Sequence, residues 1–279
     1  MKDKRTLRVA FQGERGAYSE AAAVEFFDGE AVEPAPCETF DEVFGCVETG
    51  ECDRGIVPIE NSLAGSIHRN YDLLLEHDLS IVGEQYLRIV HCLIVHPGTK
   101  LTDIRRVYSH PQALAQCEST LDWLPDAERI STYDTAGSVA LIKAEGFKDA
   151  AAIASRRAAQ VHEMEILKEG IADNPENYTR FLILGCETIE PALPAKTSIV
   201  FATKNVPGVL FKALSVFALR DIDLTKIESR PLKGKLWEYL FYLDFAGSTA
   251  EERCHNAIKH LEEIATYLRI LGSYPRGEM

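Results

Sequence analysis

Short runs rich in valine and isoleucine alternate with helical patterns through the first two thirds of the chain. The strand-like runs LRVAFQG, GIVPIEN, RRVYSH and AAIAS are followed in turn by SEAAAVEFF, SIHRNYDLLLEH, PQALAQCESTLDWL and RRAAQV. This alternation predicts an α/β fold with a mostly parallel sheet. The stretch from Leu79 to His96 is extended over about 18 residues, long enough to carry the chain from one sheet to another. We therefore expect two α/β lobes with a cleft between them.

The order of elements changes after a proline-containing linker, Cys186 to Lys196. Strand, helix, strand, strand, helix and strand follow in about 80 residues, which is the ferredoxin-like βαββαβ order. We predict a first domain over residues 1–188 and a second over 196–279. Within the first domain we place lobe 1 at about 1–80 plus 172–188 and lobe 2 at about 81–171.

Composition excludes several classes of partner and cofactor. A net charge of −13 disfavours nucleic acid and anionic membranes. The longest apolar run, Ile89–Val95, is too short to cross a bilayer, and the N-terminal stretch has no signal-peptide core, so we expect a cytoplasmic protein. The seven cysteines and eight histidines show no metal-binding spacing. We expect no metal and no cofactor.

Two stretches place polar residues where a strand ends. GERGAYSE (13–20) can turn at its glycines and cap the next helix with Ser19, although an ordinary strand-to-helix turn explains it equally. VPIENSLAGSI (57–67) ends a strand with Glu60, Asn61 and Ser62. Ligands collect at the carboxyl ends of strands in open α/β sheets, but an Asx or Ser turn is the alternative here.

Two further stretches also place polar residues at the end or the start of a strand. In YSHPQALAQC (108–117), Ser109 or His110 is expected to cap a helix on which Gln112 and Gln116 share one face, and His110 is expected to be structural. In NYTRF (177–181), strand alternation turns Thr179 and Phe181 to one side and Arg180 to the other. A plain strand with an outward arginine is the alternative reading of that motif.

Taken in this order and followed by a ferredoxin-like module, the four stretches resemble prephenate dehydratases, and the resemblance spans essentially the full chain. It implies a two-lobed fold of the type II periplasmic-binding-protein kind, with the active site in the cleft, and a monofunctional enzyme. It also implies that Thr179 is the residue most important for activity. The other site residues that we carry over or infer are Glu60 and Ser109 as further catalytic groups, and Asn61, Ser62, Gln116, Arg180 and Phe181 as substrate-binding groups.

The C-terminal module resembles ACT domains, which bind amino acids. NVPGVLFKAL (205–214) places Gly208 at a helix N-terminus, and ESRP (228–231) follows the next strand. The resemblance implies a phenylalanine site shared between two subunits of a homodimer or homotetramer. Its expected residues are Asn205, Gly208, Val209, Leu210, Glu228, Ser229 and Arg230. The family usually has Gly-Ala-Leu-Val where this chain has Gly208-Val209-Leu210-Phe211, and these larger side chains are expected to alter the response to phenylalanine.

The expected reaction is the conversion of prephenate to phenylpyruvate, carbon dioxide and water, with feedback inhibition by L-phenylalanine. Thr179 is predicted to donate a hydrogen bond to the departing hydroxyl, and a protonated Glu60 is the alternative proton donor. Ser109, Asn61, Ser62 and Gln116 are candidates for binding the carboxylates, whereas Arg180 is expected to be more structural. Two other functions stay open, namely an arogenate dehydratase and a non-catalytic amino-acid sensor.

Overall fold

A computed structural model describes residues 6–232 and 238–278. The strands, in chain order, are β1 (Leu7–Gln12), β2 (Val32–Cys37), β3 (Arg54–Asn61), β4 (Gly65–Ser66), β5 (Ser80–Arg88), β6 (Cys92–Val95), β7 (Arg106–Ser109), β8 (Glu128–Ser131), β9 (Ala150–Ala154), β10 (Glu165–Glu169), β11 (Tyr178–Gly185), β12 (Ala195–Ala202), β13 (Leu224–Pro231), β14 (Tyr239–Ala246) and β15 (Tyr267–Pro275). The α-helices are α1 (Tyr18–Phe26), α2 (Phe40–Glu48), α3 (His68–Glu76), α4 (Pro111–Ala115), α5 (Glu118–Leu121), α6 (Thr135–Ala144), α7 (Arg156–Val161), α8 (Val209–Ala218) and α9 (Glu252–Ile264). A 3-10 turn spans Leu101–Asp103.

The chain forms two compact units. The first contains the described residues up to Leu75 together with Gln85–Phe181, and the second contains Glu76–Glu84 together with Leu182–Glu278. Strands β5 and β11 run from one unit into the other. The finer division into lobes and domains that the sequence suggests stays a prediction.

Two sheets organise the first unit. One has the order β2-β1-β3-β11-β5, with β1 parallel to both β2 and β3. The other has the order β10-β6-β9-β7-β8, with β7 parallel to β8 and β9. Because β5 lies in the first sheet and β6 in the second, the extended stretch after Leu79 connects the two sheets as expected. The α/β, two-lobed periplasmic-binding-protein-like class is confirmed.

Strand β9 is the buried central strand of the second sheet. Its sequence is AAAIA, and every residue from Ala150 to Ala154 is buried, as expected of a central strand that is covered on both faces. Leu114 and Leu121 pack from one side into a core that also contains Val107 and Ile153. The small alanines allow helices to approach the sheet closely, so the loops at the strand ends are held in fixed positions.

The second unit contains an antiparallel sheet of order β13-β14-β12-β15. Helices α8 and α9 cover one face and bury a core that includes Phe201, Phe217, Phe245 and Leu261. The element order is βαββαβ, so the ferredoxin-like prediction is confirmed. No helix of the described residues has both the length and the apolar composition needed to span a bilayer.

The helix predicted over PQALAQCESTLDWL is broken into α4 and α5. The break falls at Gln116 and Cys117, where the Gln116 carbonyl accepts from the amide of Asp173 at 2.8 Å. The Asp173 carboxylate in turn accepts from the amides of Glu118 and Ser119 at 3.0 and 3.1 Å, and so caps the second helix. Gln116 is therefore the C-terminal cap of a short helix and does not lie within a long one.

Ser19 does not cap helix α1 as expected. Helix α1 begins at Tyr18 with Ala17 as its cap residue, and Ser19 lies inside the first turn. The carboxylate of Glu20 accepts from the Gly16 amide at 2.5 Å and provides the hydrogen bond that Ser19 was expected to make. Gly13 and Gly16 have φ of 107° and 93°, so the turn does use left-handed conformations that favour glycine.

Candidate functional site

A cleft of about 250 Å³ opens within the first unit where β3 ends and β11 begins. Its walls come from the ends of several strands and from the turns that follow them, as expected for a ligand site in an α/β fold. The lining residues are Gln12, Tyr18, Ser19, Pro58, Asn61, Ile67, Ile89, His91, His110, Gln112, Ala113, Gln116, Thr135, Asn177, Thr179 and Phe181. Four of the residues predicted from sequence, Asn61, Gln116, Thr179 and Phe181, are among them.

Asn61 and Thr179 form the centre of this cleft. The Asn61 carbonyl oxygen accepts from the amides of Leu63 and Ala64 at 3.0 and 2.9 Å, which fixes the orientation of its side-chain amide. Its Nδ2 group therefore faces Thr179 and donates to Oγ1 at 2.9 Å. Because Thr179 Oγ1 acts as an acceptor in this bond, its own hydroxyl hydrogen is left to donate to a ligand.

Asn177 extends this set of hydrogen bonds. It is only 1% exposed, its Oδ1 accepts from Asn61 Nδ2 at 2.7 Å, and its Nδ2 donates to Gln116 Oε1 at 3.2 Å. Gln116 Oε1 also lies 3.0 Å from His91 Nε2. With both lone pairs of that oxygen engaged, the NH2 group of Gln116 is the part of its side chain that is left for a ligand.

His91 lies behind Gln116 and contacts Tyr18. Tyr18 Oη is 2.8 Å from His91 Nδ1 and 3.0 Å from the carbonyl of Val90, and the two rings meet edge to face with centroids 5.6 Å apart. Burial lowers the pKa of His91 below 6.5, and the hydrogen bond to Gln116 only partly opposes this effect. Burial raises the pKa of Tyr18 well above 10. Both groups are therefore neutral near pH 7.

The structure does not bring Ser109, Ser62, Glu60 or Arg180 to the lining of this cleft. Ser109 is completely buried and donates to the Ile153 carbonyl at 2.6 Å. Ser62 is exposed; its hydroxyl donates to the Glu176 carbonyl and accepts from the Tyr178 amide, both at 3.0 Å. Glu60 is half-buried and precedes Asn61 on the strand, so alternation turns it to the opposite face.

Strand alternation in β11 agrees with the sequence analysis. Thr179 and Phe181 line the cleft, whereas Arg180, which lies between them, is buried elsewhere. His110 caps α4 by accepting from the Gln112 amide at 3.2 Å, which confirms the predicted cap, and it also lines the cleft.

Among the polar cleft residues that are missing from the sequence candidates are Tyr18, His91 and Asn177. The sequence carries a signal for two of them. His91 interrupts the apolar run Ile89–Val95, and Asn177 immediately precedes the strand that presents Thr179. A polar residue inside an apolar run is usually hydrogen-bonded when buried, but its partners are distant in sequence and cannot be read from the motif.

The described lining of the cleft has no permanently cationic side chain. Among the lining residues that the structure describes, none is a lysine or an arginine. A wider outer cavity of about 600 Å³ shares several of these residues and adds Glu38, Asp41 and Asp134. Asp41 pairs with Arg69, and Asp134 accepts from the amides of Glu14 and Gly137. An anion in the cleft would therefore be bound by neutral hydrogen-bond donors.

The predicted phenylalanine-site residues lie on two elements of the second unit. Gly208 caps α8 with φ of 79°, preceded by exposed Asn205 and followed by Val209 and Leu210 in the first turn. Glu228, Ser229 and Arg230 lie on β13, the strand at one edge of the sheet. The phenylalanine site at these residues stays a prediction.

The described residues contain no group of three or more histidine, cysteine, aspartate or glutamate side chains arranged to hold a metal ion. The hydrogen-bonding groups at the centre of the cleft are the hydroxyl of Thr179 and the carboxamides of Asn61, Asn177 and Gln116. They are suited to binding and polarising oxygen atoms of an organic anion.

Comparison with known proteins agrees with this geometry. The family model of prephenate dehydratase matches residues 9–188. Arogenate dehydratase/prephenate dehydratase 2, chloroplastic, from Arabidopsis thaliana is 54% identical over 96% of this chain and 73% of its own length.

Two solved structures have a TM-score of 0.88. The first is a prephenate dehydratase from Arthrobacter aurescens in complex with L-Phe, 32% identical, with 97% of this chain and 90% of that chain aligned. The second is GqqA, described as a novel type of quorum quenching acylase, 34% identical, with 96% of this chain and 97% of that chain aligned.

The predicted cytoplasmic location is wrong in the light of these relatives. Several of the similar plant dehydratases are named chloroplastic, which contradicts the expectation. Plastid transit peptides have no apolar signal-peptide core, so the lack of such a core does not argue for the cytoplasm.

Proposed function

The chain belongs to the prephenate dehydratase family, and on that premise we propose that it converts prephenate to phenylpyruvate with loss of carbon dioxide and water. The proposal is carried by the bond from Asn61 Nδ2 to Thr179 Oγ1 at 2.9 Å. That bond makes the threonine oxygen an acceptor from the protein and leaves its hydrogen to donate into the cleft. A hydroxyl set in this way can stabilise a departing hydroxide without any charged group.

The reaction needs little more than alignment and stabilisation of the leaving group. The bond between the ring and its carboxylate breaks to release carbon dioxide, and its electron pair completes the aromatic ring while the opposite C–O bond breaks. Negative charge develops on the departing oxygen, which leaves as hydroxide and becomes water by taking a proton from solvent. We assign Thr179 as the hydrogen-bond donor to that oxygen, because such a donor acts most strongly where charge develops in the transition state.

The remaining roles follow from position in the cleft. We assign the Gln116 NH2 group to a substrate carboxylate and the apolar wall formed by Ile67, Ile89 and Phe181 to the ring. Asn61 orients Thr179. We assign Ser62, Ser109 and Arg180 to the framework around the cleft, and we do not retain Glu60 as the proton donor because it is not among the cleft residues.

Arogenate dehydratase is a second candidate that one observation favours. Arogenate has an ammonium group where prephenate has a ketone, so it carries one negative charge fewer. The cleft lining described here has no lysine or arginine, and the outer cavity adds Glu38 as a carboxylate. The Arabidopsis relative is named for both activities. We therefore propose that the chain also accepts arogenate.

The test compares wild type with Thr179→Ala and Thr179→Ser. Phenylpyruvate is followed by its absorbance in alkali and phenylalanine by chromatography. We expect Thr179→Ala to lose about a hundred- to a thousandfold in kcat, because it removes one transition-state donor, and Thr179→Ser to retain most of the activity. Thr99→Ala is the matched control, since Thr99 is equally buried but donates to the Lys148 carbonyl away from the cleft. Equal losses in Thr99→Ala and Thr179→Ala, or no turnover of either substrate by wild type, would refute the proposal.

We also propose that L-phenylalanine binds the C-terminal module at the residues around Gly208 and Glu228 and lowers turnover. The Arthrobacter structure with L-Phe supports this, as does the open amide end of α8. The module is proposed to pair in a homodimer or homotetramer. Phe211 on α8 and Leu219 at its C-terminal cap are 77% and 78% exposed and are available for such contacts. Adding phenylalanine should raise the melting temperature and inhibit wild type, and light scattering should show at least a dimer. The regulatory proposal is abandoned if phenylalanine changes neither activity nor melting temperature.

A further inference from the structure

The orientation of three carboxamides of the cleft, those of Asn61, Asn177 and Gln116, can be assigned from one fixed point. The backbone amides of Leu63 and Ala64 can only donate, so Asn61 Oδ1 must face them. Asn61 Nδ2 then faces Asn177 Oδ1 at 2.7 Å, which leaves Asn177 Nδ2 to face Gln116 at 3.2 Å. The atom of Gln116 at that position is consequently its oxygen.

This assignment also fixes the protonation of His91. Because Gln116 Oε1 can only accept, His91 Nε2, 3.0 Å away, must carry a hydrogen. At neutral pH the buried ring is uncharged, so Nδ1 carries no hydrogen and accepts from Tyr18 Oη at 2.8 Å. Tyr18 has one hydrogen and two acceptors within reach, and this tautomer of His91 directs it to Nδ1 in preference to the Val90 carbonyl.

His91 is unsuited to act as a general acid or base. Both ring nitrogens are engaged by protein groups, and the residue is only 3% exposed. Its Nε2 group contacts Gln116, whose NH2 group has no protein acceptor among residues 6–232 and 238–278. Without His91 the Gln116 oxygen would keep only the longer bond from Asn177, and the amide would be free to turn.

We propose that His91, held in its Nε2–H tautomer by Tyr18, is a positioning residue that keeps the NH2 group of Gln116 directed into the cleft. The role of Gln116 as a carboxylate ligand rests on the proposed function. The tautomer of His91 does not rest on the proposed function, so the tautomer assignment and the proposed function can fail separately.

The kinetic test uses a double-mutant cycle. His91→Leu removes the donor, and we expect it to lower kcat/KM about tenfold, the effect of one lost hydrogen bond. His91→Gln places an amide N–H near the position of Nε2, and it should retain activity within about threefold of wild type. In a Gln116→Leu background, His91→Leu should cost less than about twofold, because there is no amide left to orient.

A purely structural role predicts different results. If His91→Leu costs the same factor with and without Gln116, or if His91→Gln is as impaired as His91→Leu, the positioning role is wrong. Should His91→Leu fail to fold, the tautomer of the His91 ring decides the matter, because its measurement needs only wild type and His91→Gln.

A spectroscopic test is independent of activity. Long-range ¹H–¹⁵N correlation of the histidine rings, with the His91 signal assigned by its absence in His91→Gln, should show a protonated Nε2 and an unprotonated Nδ1 near neutral pH. An Nδ1–H tautomer would overturn the proposal even in an active enzyme. The Nε2–H tautomer in a protein that turns over neither substrate would support the assignment of His91 and refute the proposed function.

Discussion

Replacing Asn177 by aspartate should make the activity and the stability of this protein depend on pH, through the ionisation of the new carboxyl group. The substitution keeps the oxygen that accepts from Asn61 Nδ2 at 2.7 Å. It exchanges the Nδ2 donor, 3.2 Å from Gln116 Oε1, for a second oxygen. When ionised, that oxygen faces another acceptor in a site that is only 1% exposed; when protonated, it donates as the amide did.

The size of the effect follows from the loss of this bond. A buried acceptor left unpaired costs about 1 to 3 kcal/mol, and one pKa unit corresponds to about 1.4 kcal/mol. The new carboxyl should therefore titrate about one to two units above the usual 3.9, that is at about pH 5 to 6 in the folded protein. Because the folded-state pKa is raised, the variant should match wild type best below about pH 4 and lose stability as the pH rises through about 6.

The assay is urea unfolding and kcat/KM for wild type and Asn177→Asp between pH 5 and pH 8. At pH 8 we expect a loss of about 1 to 3 kcal/mol in unfolding free energy and about tenfold in kcat/KM, and both differences should shrink toward pH 5. Asn174→Asp is the control, because Asn174 is exposed and its oxygen, which accepts from the Glu176 amide at 2.9 Å, is retained. A difference from wild type that does not change with pH, or that grows on acidification, would refute the assigned orientation of these amides.

Three further outcomes are expected. Gly16→Ala should destabilise the protein by about 1 to 3 kcal/mol more than Gly50→Ala in chemical unfolding, because both have positive φ but only at Gly16 would a Cβ lie 2.5 Å from a backbone atom of α7. Lys196→Met should lose about 3 to 5 kcal/mol of unfolding free energy, since it leaves the buried Glu84 carboxylate, 2.7 Å from Nζ, without its counter-ion; a loss below 1 kcal/mol would contradict this. The ring of His91 should titrate below pH 6.5 by NMR, so its contribution to stability should be complete above that pH and decline as the pH falls; a midpoint above 6.5 would oppose the burial argument.

The order of elements could be predicted because it depends on local patterns. The alternation of apolar runs and helical periods gave the two sheets of the first unit, and the change after Cys186 gave the βαββαβ module. The side of β11 that carries Thr179 also followed from a period of two residues. These features are decided by neighbours in sequence, which is why they can be read from it.

The errors arose where a distant residue decides the local structure. Asp173 interrupts the helix predicted after Pro111 by capping Glu118, 55 residues earlier in the chain. Ser109 has the right place at the end of a strand, but its hydroxyl donates to the Ile153 carbonyl of the neighbouring strand β9. Neither contact has a signal in the motif itself, because hydrogen-bond partners across strands are selected by tertiary packing.

The neutral lining explains why these distant partners matter to function. A lysine or arginine attracts a carboxylate from any direction, whereas a carboxamide does so only when its NH2 end faces the ligand. Without cationic residues in the described cleft lining, the site depends on amide orientation, and that orientation is set by His91 and Asn177, outside the predicted set. The residues that donate hydrogen bonds to the substrate can therefore be recognised by their motifs. The direction in which they donate is determined by buried polar residues that only the folded chain brings together.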